Sequence, residues 1–200
     1  MVIPAFHVTF VNMRPSHTTF KRTVTAFASV VMFSLPLSAH AESDGTSALD
    51  RLRQAPTPEA AARVVREIQL EWSRSGSASM DLLLTRGRDA LERGDLTEAV
   101  EHLTALTDHA PDFAEGWHTR AMVFFQQKRF GLAAADLERT LALNPDHFGA
   151  IRGIGAIYET LGDGAMAYAA YKLAETYNPL DKEIVEGLKR TAASAVGVDL

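Results

Sequence analysis

The stretch "LALNPDHFGA", Leu141 to Ala150, places a proline between two apolar runs. Pro145 in this stretch is the middle one of three prolines, Pro111, Pro145 and Pro179, that recur at an equal interval along the chain. Proline lacks a backbone N–H and clashes with the preceding helical turn, so a helix ends before it. Three prolines at one interval, each shortly before a new apolar run, predict a structural unit of the same length that repeats.

The three units share more than their prolines. Aligned on them, residues 80–113, 114–147 and 148–181 also agree in residue type at five other positions. The fourth position is large and apolar, the eighth is small, the eleventh is Ala or aromatic, the twentieth is Ala, and the twenty-fourth is Leu or Tyr. In that order these residues are Leu83, Trp117 and Ile151; Gly87, Ala121 and Gly155; Ala90, Phe124 and Tyr158; Ala99, Ala133 and Ala167; and Leu103, Leu137 and Tyr171.

Each unit contains two helical patterns. Apolar residues recur at helical spacing, and the pattern breaks once, near Gly94, Arg129 or Gly162. This predicts a helix, a tight turn and a second helix. Small residues at the eighth and twentieth positions predict that the two helices cross closely there. Because one pair cannot bury its apolar face alone, we expect consecutive pairs to stack.

This combination of residue types resembles the tetratricopeptide repeat (TPR) family, in three consecutive copies over residues 80–181. The resemblance implies an all-α fold, a right-handed solenoid of three helical hairpins. Three positions depart from the usual pattern of the family. The seventh position, usually Leu, is Arg86 and Arg120 in the first two copies. The twenty-seventh, usually Ala, is Leu106 and Thr140 in those copies, and Lys128 stands where a turn glycine is usual.

The residues that flank the repeats are predicted to be helical caps. Residues 42–79 are predicted to form an N-terminal helical cap and a loop, with a short helix over 47–54 and a second helix that Thr57 caps and Pro58 begins. Residues 182–200 are predicted to form one helix that covers the third repeat. The second N-terminal helix carries an apolar stripe of Ala61, Val65, Ile68 and Trp72.

The N-terminal segment 1–41 contains no Asp or Glu. Three basic residues precede an apolar run over 23–37, and Ala39 and Ala41 follow in the pattern of a signal-peptidase site. The run is shorter than the ~20 residues of a membrane span. The sequence therefore predicts a signal peptide cleaved after Ala41 and a periplasmic protein of a bacterium. A retained segment that tethers the chain to the membrane is the alternative, and Met13 is an alternative start.

Charge and composition argue against several classes of function. Beyond residue 41 the chain has 17 Lys and Arg against 25 Asp and Glu, a formal charge of −8, which weighs against a nucleic-acid partner. No Cys is present, so no disulfide or thiolate metal site is expected. Motifs of nucleophilic, zinc-dependent or phosphate-binding enzymes are lacking. We therefore predict no enzyme, no cofactor and no metal site; the His residues beyond residue 41, His102, His109, His118 and His147, show no metal-ligand spacing.

The resemblance also implies a binding groove. In this family the first helices of the pairs line a concave groove through their positions 2, 5, 9, 12 and 13. Among these positions the candidate contacts are Leu84, Arg88, Leu91, His118, Met122, Phe125, Gln126 and Arg152. Family members that clamp the C-terminal carboxylate of a chaperone use Lys and Asn there, and none of the fifteen positions is Lys or Asn. Packing of Met122 and Phe125 against neighbouring helices is the alternative.

Together these features predict a non-catalytic interaction module in the periplasm. It would bind a peptide or protein segment of the cell envelope, with apolar side chains and one acidic group, and would serve assembly, scaffolding or chaperoning. The alternative is a structural solenoid that self-associates or is tethered to the membrane, and acts through its ends or its convex face. The oligomeric state distinguishes the two.

Overall fold

A computed structural model describes residues 46–196 of the chain, with side chains described as far as residue 194. The predicted signal peptide therefore lies outside the described residues. Over 46–196 the regular elements are all helices, and the predicted all-α fold is confirmed. The helices are α1 (Ala48–Arg53), α2 (Pro58–Trp72), α3 (Ala78–Glu92), α4 (Leu96–His109), α5 (Ala114–Gln126), α6 (Phe130–Leu143), α7 (Phe148–Thr160), α8 (Gly164–Glu175) and α9 (Lys182–Val196).

Helices α3 to α8 form three hairpins, α3 with α4, α5 with α6 and α7 with α8, and α9 packs on α8. The first helices of consecutive hairpins also touch one another, because α3 contacts α5, α5 contacts α7 and α7 contacts α9. The second helices mainly contact the first helices on either side of them. The first helices therefore lie on the inner, concave side of a curved stack.

The small eighth position makes room for a large residue of the second helix. A Cβ atom on Gly87 would lie 2.6 Å from Leu103 Cγ, and one on Gly155 would lie 2.9 Å from Tyr171 Cδ1. The predicted close crossing is present. The nearest side chain, however, is that of the twenty-fourth position, and not of the twentieth as the sequence suggested.

The same large residue also reaches the next hairpin. A Cβ atom on Gly153 would lie 3.0 Å from Leu137 Cδ1, and one on Gly187 would lie 2.6 Å from Tyr171 Cε2. Gly153 and Gly187 both occupy the sixth position of the repeat register, which the sequence analysis did not single out. The twenty-fourth residue therefore packs against its own first helix and against the next one, and joins consecutive repeats.

The structure describes the surroundings of two residues that depart from the family pattern, Lys128 and Arg120. Gly94 and Gly162 have φ angles of 78° and 84°, and Lys128, at the equivalent turn, has a φ of 58°. This left-handed conformation costs a residue with a Cβ about 1–2 kcal/mol. Lys128 therefore adopts the same turn conformation as the two glycines, but with local backbone strain. Arg120 is largely buried and forms two hydrogen bonds with the Asp136 carboxylate, at 2.7 and 2.8 Å. Arg120 is thus paired inside its hairpin, whereas Arg86, at the same position of the first repeat, is exposed.

The N-terminal helices begin where predicted but do not extend the stack. Thr57 Oγ1 accepts a hydrogen bond from the Ala60 N–H at 3.2 Å, and Pro58 is the first residue of α2. The predicted cap would stack on the first repeat. Instead, the apolar stripe of α2 packs with Phe148, Tyr177 and Leu180, which belong to the third repeat. The loop over 73–77 sends α2 back along the side of the stack.

Helix α9 covers the C-terminal end of the stack, where it packs on α8. Ile184 is fully buried and lies in one core cluster with Ile151 and Ala174 of the third repeat. This is the position expected of a C-terminal capping helix. Helix α3 begins at Ala78, slightly before the predicted start of the first repeat at Met80.

The eighth position is testable with a matched pair of glycine variants. We expect Gly155→Leu to lower the free energy of unfolding by about 2–3 kcal/mol, because the added side chain must displace Tyr171. Gly131→Leu is the control, since no heavy atom lies within 4 Å of a Cβ there. The free energy of unfolding of Gly131→Leu should be unchanged or rise by up to ~1 kcal/mol, because leucine has a higher helix propensity than glycine. Urea unfolding measures both, and equal losses would contradict the packing described.

Candidate functional site

The concave side carries an open groove between α5, α7 and α9, with a volume of about 820 Å³. Met122 on its floor is 44% exposed. The Phe125 ring lies beside it and packs edge-on against the Phe130 ring, with centroids 5.4 Å apart. The other apolar residues or glycines of the lining are Ala121, Leu137, Gly149, Gly153 and Ala156. The floor of the groove is therefore mostly apolar.

The structure brings five of the eight predicted contacts together. The groove is lined by His118, Met122, Gln126 and Arg152, together with Phe125. The remaining predicted contacts, Leu84, Arg88 and Leu91, all lie on α3.

Leu84 is a correction to the predicted groove. It is 2% exposed and lies in a core cluster with Leu103 and Leu106. His118 and Arg152 occupy the equivalent position in the next repeats and do reach the groove. Arg152 extends toward the surface and His118 is mostly buried but still lines the groove, whereas the apolar Leu84 is buried between hairpins. Leu91 is half-buried against the same cluster.

Helix α9 supplies groove residues that the sequence analysis missed. Glu183, Glu186 and Arg190 line the groove opposite Phe125. They occupy positions 2, 5 and 9 if the repeat register is continued into α9. Continuing the register would therefore have found them, but residues 182–200 were considered only as a cap.

Most charged residues at the rim of the groove are paired within the chain, whereas the exposed Lys182 forms no ion pair with the described residues. Arg152 Nη1 lies 2.8 Å from a Glu183 carboxylate oxygen and 3.2 Å from one of Asp181. Arg190 Nη2 donates to Glu159 Oε2 at 2.9 Å, and the Tyr171 hydroxyl donates to the same oxygen at 2.7 Å. The rim thus presents balanced charges around the apolar floor.

A buried polar cluster lies beside the groove and consists of Arg88, Glu115, His118 and His147; we call it the Glu115 cluster. Glu115 is 5% exposed and forms an ion pair with the Arg88 guanidinium. His147 Nε2 lies 3.0 Å from Glu115 Oε2, and His118 Nδ1 lies 3.6 Å from Glu115 Oε1. This cluster was not predicted from the sequence. Glu115 lies in the first helix of the second repeat and His147 is the last residue of that repeat, so the two are far apart along the chain.

The tautomer of His147 follows from its hydrogen bonds. The Ala150 N–H donates to His147 Nδ1 at 3.1 Å, so this nitrogen carries a lone pair and caps the first turn of α7. Nε2 therefore carries the proton and donates to Glu115. His147 links the start of α7 to α5.

The environment shifts the pKa values of two of these groups. Burial acts to raise the pKa of Glu115, but its interactions with His118 and His147 outweigh burial, and the pKa lies well below its ordinary value. Burial lowers the pKa of His147 below its ordinary value, and the hydrogen bond to Glu115 offsets this only in part. Near neutral pH, Glu115 is therefore an ionised carboxylate and His147 a neutral imidazole.

Glu115, His118 and His147 offer three potential ligand atoms within 4.8 Å of one another. A divalent metal at His147 Nε2 would need the lone pair of that nitrogen, while Nδ1 already uses a lone pair to accept the Ala150 N–H. Both nitrogens have lone pairs only in an imidazolate anion. The Arg88 guanidinium also places a positive charge on Glu115. These donors therefore do not fit a divalent metal, and the cluster is better explained as a structural network.

Ion pairs within the chain bear on the predicted contacts of two arginines. Arg88 and Arg152 were predicted to contact the partner. Arg88 instead pairs with Glu115, and Arg152 with Asp181 and Glu183.

Within residues 46–196, no helix is long and apolar enough to cross a membrane.

The chain belongs to the tetratricopeptide repeat family. A tetratricopeptide repeat family model matches residues 84–147 and again 118–181. A TPR repeat-containing protein of Rhizobium etli is 30% identical over 147 residues, which are 74% of this chain and 72% of that protein. The Hsp70-Hsp90 organizing protein of Triticum aestivum is 30% identical over 112 residues, 54% of this chain but only 19% of that protein.

Solved structures share the fold. The first TPR of Spaghetti (RPAP3), bound to the HSP90 peptide SRMEEVD, is 23% identical, with a TM-score of 0.57 over 60% of this chain and 95% of that one. The Arabidopsis OM64 TPR domain is 20% identical, with a TM-score of 0.57 over 58% of this chain and 96% of that one. These likenesses confirm the TPR solenoid.

The pKa shifts in the Glu115 cluster predict how stability depends on pH. Both shifted groups bind fewer protons in the folded chain than in the unfolded one, so acid destabilises the fold. The contribution of His147 to stability is present above about pH 6.5, and it is lost as the pH falls toward the lowered pKa of His147 in the folded chain. The contribution of Glu115 is lost at more acidic pH, below about pH 4.3. We expect His147→Asn, which keeps a helix-capping oxygen, to flatten the decline in stability that begins below about pH 6.5.

Urea unfolding at a series of pH values measures this dependence. His109→Asn is the control, because His109 is exposed and lies outside the Glu115 cluster. It should retain the wild-type decline. If His147→Asn and the wild type lost stability with the same slope, the account of His147 would be wrong.

Proposed function

We propose that this chain is a non-catalytic protein-interaction module that binds an apolar segment of another protein in the groove between α5, α7 and α9. The observation that carries the proposal is the exposed Met122 beside Phe125, on the floor of a continuous groove of about 820 Å³. Met and aromatic residues are enriched at protein interfaces, and exposed apolar clefts are the usual binding sites. The TPR structure bound to an HSP90 peptide supports a polypeptide as ligand.

The charges around the groove favour a ligand without an acidic cluster. An anionic group that bound Arg152 or Arg190 would have to break the pair of Arg152 with Glu183 or that of Arg190 with Glu159. Glu159 is only 25% exposed, so the loss of its arginine would offset the gain from a new ion pair, and Lys182 is left as a single exposed cation among the described residues of the lining. The ligand we propose therefore contributes apolar side chains, and not the acidic C-terminal sequence of the HSP90 peptide.

We also propose that the chain is exported to the periplasm and that its partner is a protein of the cell envelope. The support is the order of features in residues 1–41, basic residues, then an apolar run, then the small residues Ala39 and Ala41. The acidic charge of the remaining chain is consistent with a protein partner and not with nucleic acid.

The groove can be tested with a charge placed on its floor. We expect Met122→Glu to weaken binding of apolar peptides, selected from a random library on the wild-type chain, by at least about tenfold. The reason is that an unpaired carboxylate would have to be buried under the ligand. Fluorescence anisotropy with labelled peptides measures the affinity, and the acidic peptide SRMEEVD should bind much more weakly than the selected ones.

The matched control is Leu173→Glu. Leu173 is 52% exposed on α8 and does not line the groove, so this variant should retain wild-type affinity. Unchanged binding by Met122→Glu, with the same thermal unfolding midpoint as the wild type, would exclude the groove as the binding site. Stronger binding of SRMEEVD than of the apolar peptides would contradict the proposed ligand chemistry.

Export has its own test. In a bacterial host, intact-mass measurement of the chain released by osmotic shock should find a mature form that begins at Glu42. Ala39→Arg with Ala41→Arg should leave an uncleaved chain in the membrane fraction, because a signal peptidase requires small residues at both places. His40→Arg, between them, is the control and should still be cleaved. An uncleaved wild-type chain in the cytosolic fraction would contradict export.

A further inference from the structure

The hairpin of α1 and α2 lies where a ligand of the concave side would be expected. It follows no repeat register, and its apolar stripe packs beside the groove and not on the end of the stack. We propose that this hairpin is a displaceable internal ligand, whose place an amphipathic helix of a partner protein takes. The proposal deepens the proposed function, since it assumes that the concave side binds another polypeptide.

The hairpin rests on a compact surface of the third repeat, formed by His147, Phe148, Tyr177 and Leu180, which we call the α2 seat. The Trp72 ring stacks on the His147 ring at a centroid distance of 4.5 Å and on the Phe148 ring at 5.4 Å. Ala61 and Ile68 of the same stripe are buried in one cluster with Phe148. The seat therefore accepts a helix with a stripe of small, branched and aromatic residues.

The α2 seat is continuous with the groove. A second cavity of about 440 Å³ lies between α2 and the turn before α9. Arg152, Lys182 and Glu183 line both this cavity and the groove. If α2 moved away, the seat and the groove would form one larger concave surface. A partner longer than one segment could then occupy both.

The seat is held in place without the hairpin. His147 is fixed by its hydrogen bonds with Glu115 and the Ala150 N–H. The Tyr177 hydroxyl donates to the Asp146 carboxylate at 3.0 Å. Because these contacts are internal to the repeats, the seat can persist when α2 leaves.

The hairpin has polar contacts with the repeats and within itself. Arg53 lies over the Tyr177 ring, 5.0 Å from its centroid, and Ser73 Oγ accepts a hydrogen bond from Arg88 Nη1 at 2.9 Å. Arg51 forms an ion pair with Glu67, which joins α1 to α2.

The loop 73–77 connects the hairpin to α3, and the Ser75 N–H and hydroxyl donate to the Asp81 carboxylate at 2.8 and 2.6 Å. Because the ion pair of Arg51 with Glu67 holds α1 on α2, displacement would move the hairpin as one body and would break its contacts with Tyr177 and Arg88.

The test uses α2 itself as the probe. A fluorescein-labelled synthetic peptide of residues 57–73 is titrated with the full chain and with Ile68→Asp. The substitution places a carboxylate on the seat side of α2 and so releases the hairpin, while the seat keeps its own residues. We expect the variant to bind the peptide at least tenfold more tightly than the wild type, because its own α2 no longer competes.

Two controls define the result. Leu70→Asp changes the opposite face of α2, where Leu70 is 60% exposed, and should bind the peptide as the wild type does. A peptide that itself carries Ile68→Asp should not bind. If Ile68→Asp is folded by circular dichroism and yet does not bind the wild-type peptide, the proposal is overturned. Equal gains for Leu70→Asp and Ile68→Asp would overturn it too.

A second measurement covers the case in which Ile68→Asp does not fold. The chain has no Cys, so Ala62→Cys with Lys182→Cys places one thiol on each side of the second cavity, and a bifunctional maleimide can join the two. Before crosslinking, the amides of α2 should exchange hydrogen at least tenfold faster than those of α5, and the crosslink should remove that difference. Equal protection of α2 and α5 before crosslinking would overturn the proposal. A wild-type dimer in light scattering would do so as well, because a second copy would then supply the hairpin.

These results separate this inference from the proposed function. Met122→Glu, added to Ile68→Asp, should leave binding of the α2 peptide unchanged, because the α2 seat does not include Met122. Failure of the groove test with success of the α2 peptide would therefore leave the displaceable hairpin standing. Success of the groove test with failure of the α2 peptide would leave the groove as the binding site and would exclude the displaceable hairpin.

Discussion

The contact between the large twenty-fourth residue and the glycines on either side of it is the constraint on which the stack depends. Tyr171 packs against the positions of Gly155 in its own hairpin and of Gly187 in the next helix. No side chain at either glycine fits without moving that ring. Because one residue joins two hairpins, the spacing within a repeat and the spacing between repeats are set together. The first helices are brought together on one side, and that side becomes concave.

Ion pairs within the chain occupy two arginines of the concave side. The Arg88 guanidinium pairs with Glu115, whose carboxylate is buried, and removing one partner of a buried pair costs several kcal/mol, so Arg88 is a poor candidate to change partners on binding. Arg152 pairs with Asp181 and with the exposed Glu183, and such pairs contribute less to stability. What is left for a ligand is the apolar floor around Met122 and, beside it, a surface that α2 already covers. Both features point to apolar polypeptide segments.

The helices and most of the groove could be predicted from sequence, because they depend on local periodicity. The proline interval, the Thr57 cap and five groove residues follow from spacing within one helix or one repeat. The Glu115 cluster could not, since Glu115 and His147 meet only when two hairpins stack. The burial of Leu84 depends on which side chain fills the space between hairpins. The place of α2 depends on Phe148, Tyr177 and Leu180, which in sequence are ordinary residues of the third repeat.

The central claim is that the concave surface formed by α5, α7 and α9 is the binding face of this TPR protein. Backbone amide chemical shifts of the isotope-labelled chain, recorded during titration with a selected apolar peptide, test it residue by residue. We predict the largest changes at Met122, Phe125, Ala156 and Arg190, with much smaller changes along α6 and α8. Changes concentrated on α6 and α8, with α5 and α7 unaffected, would contradict the account.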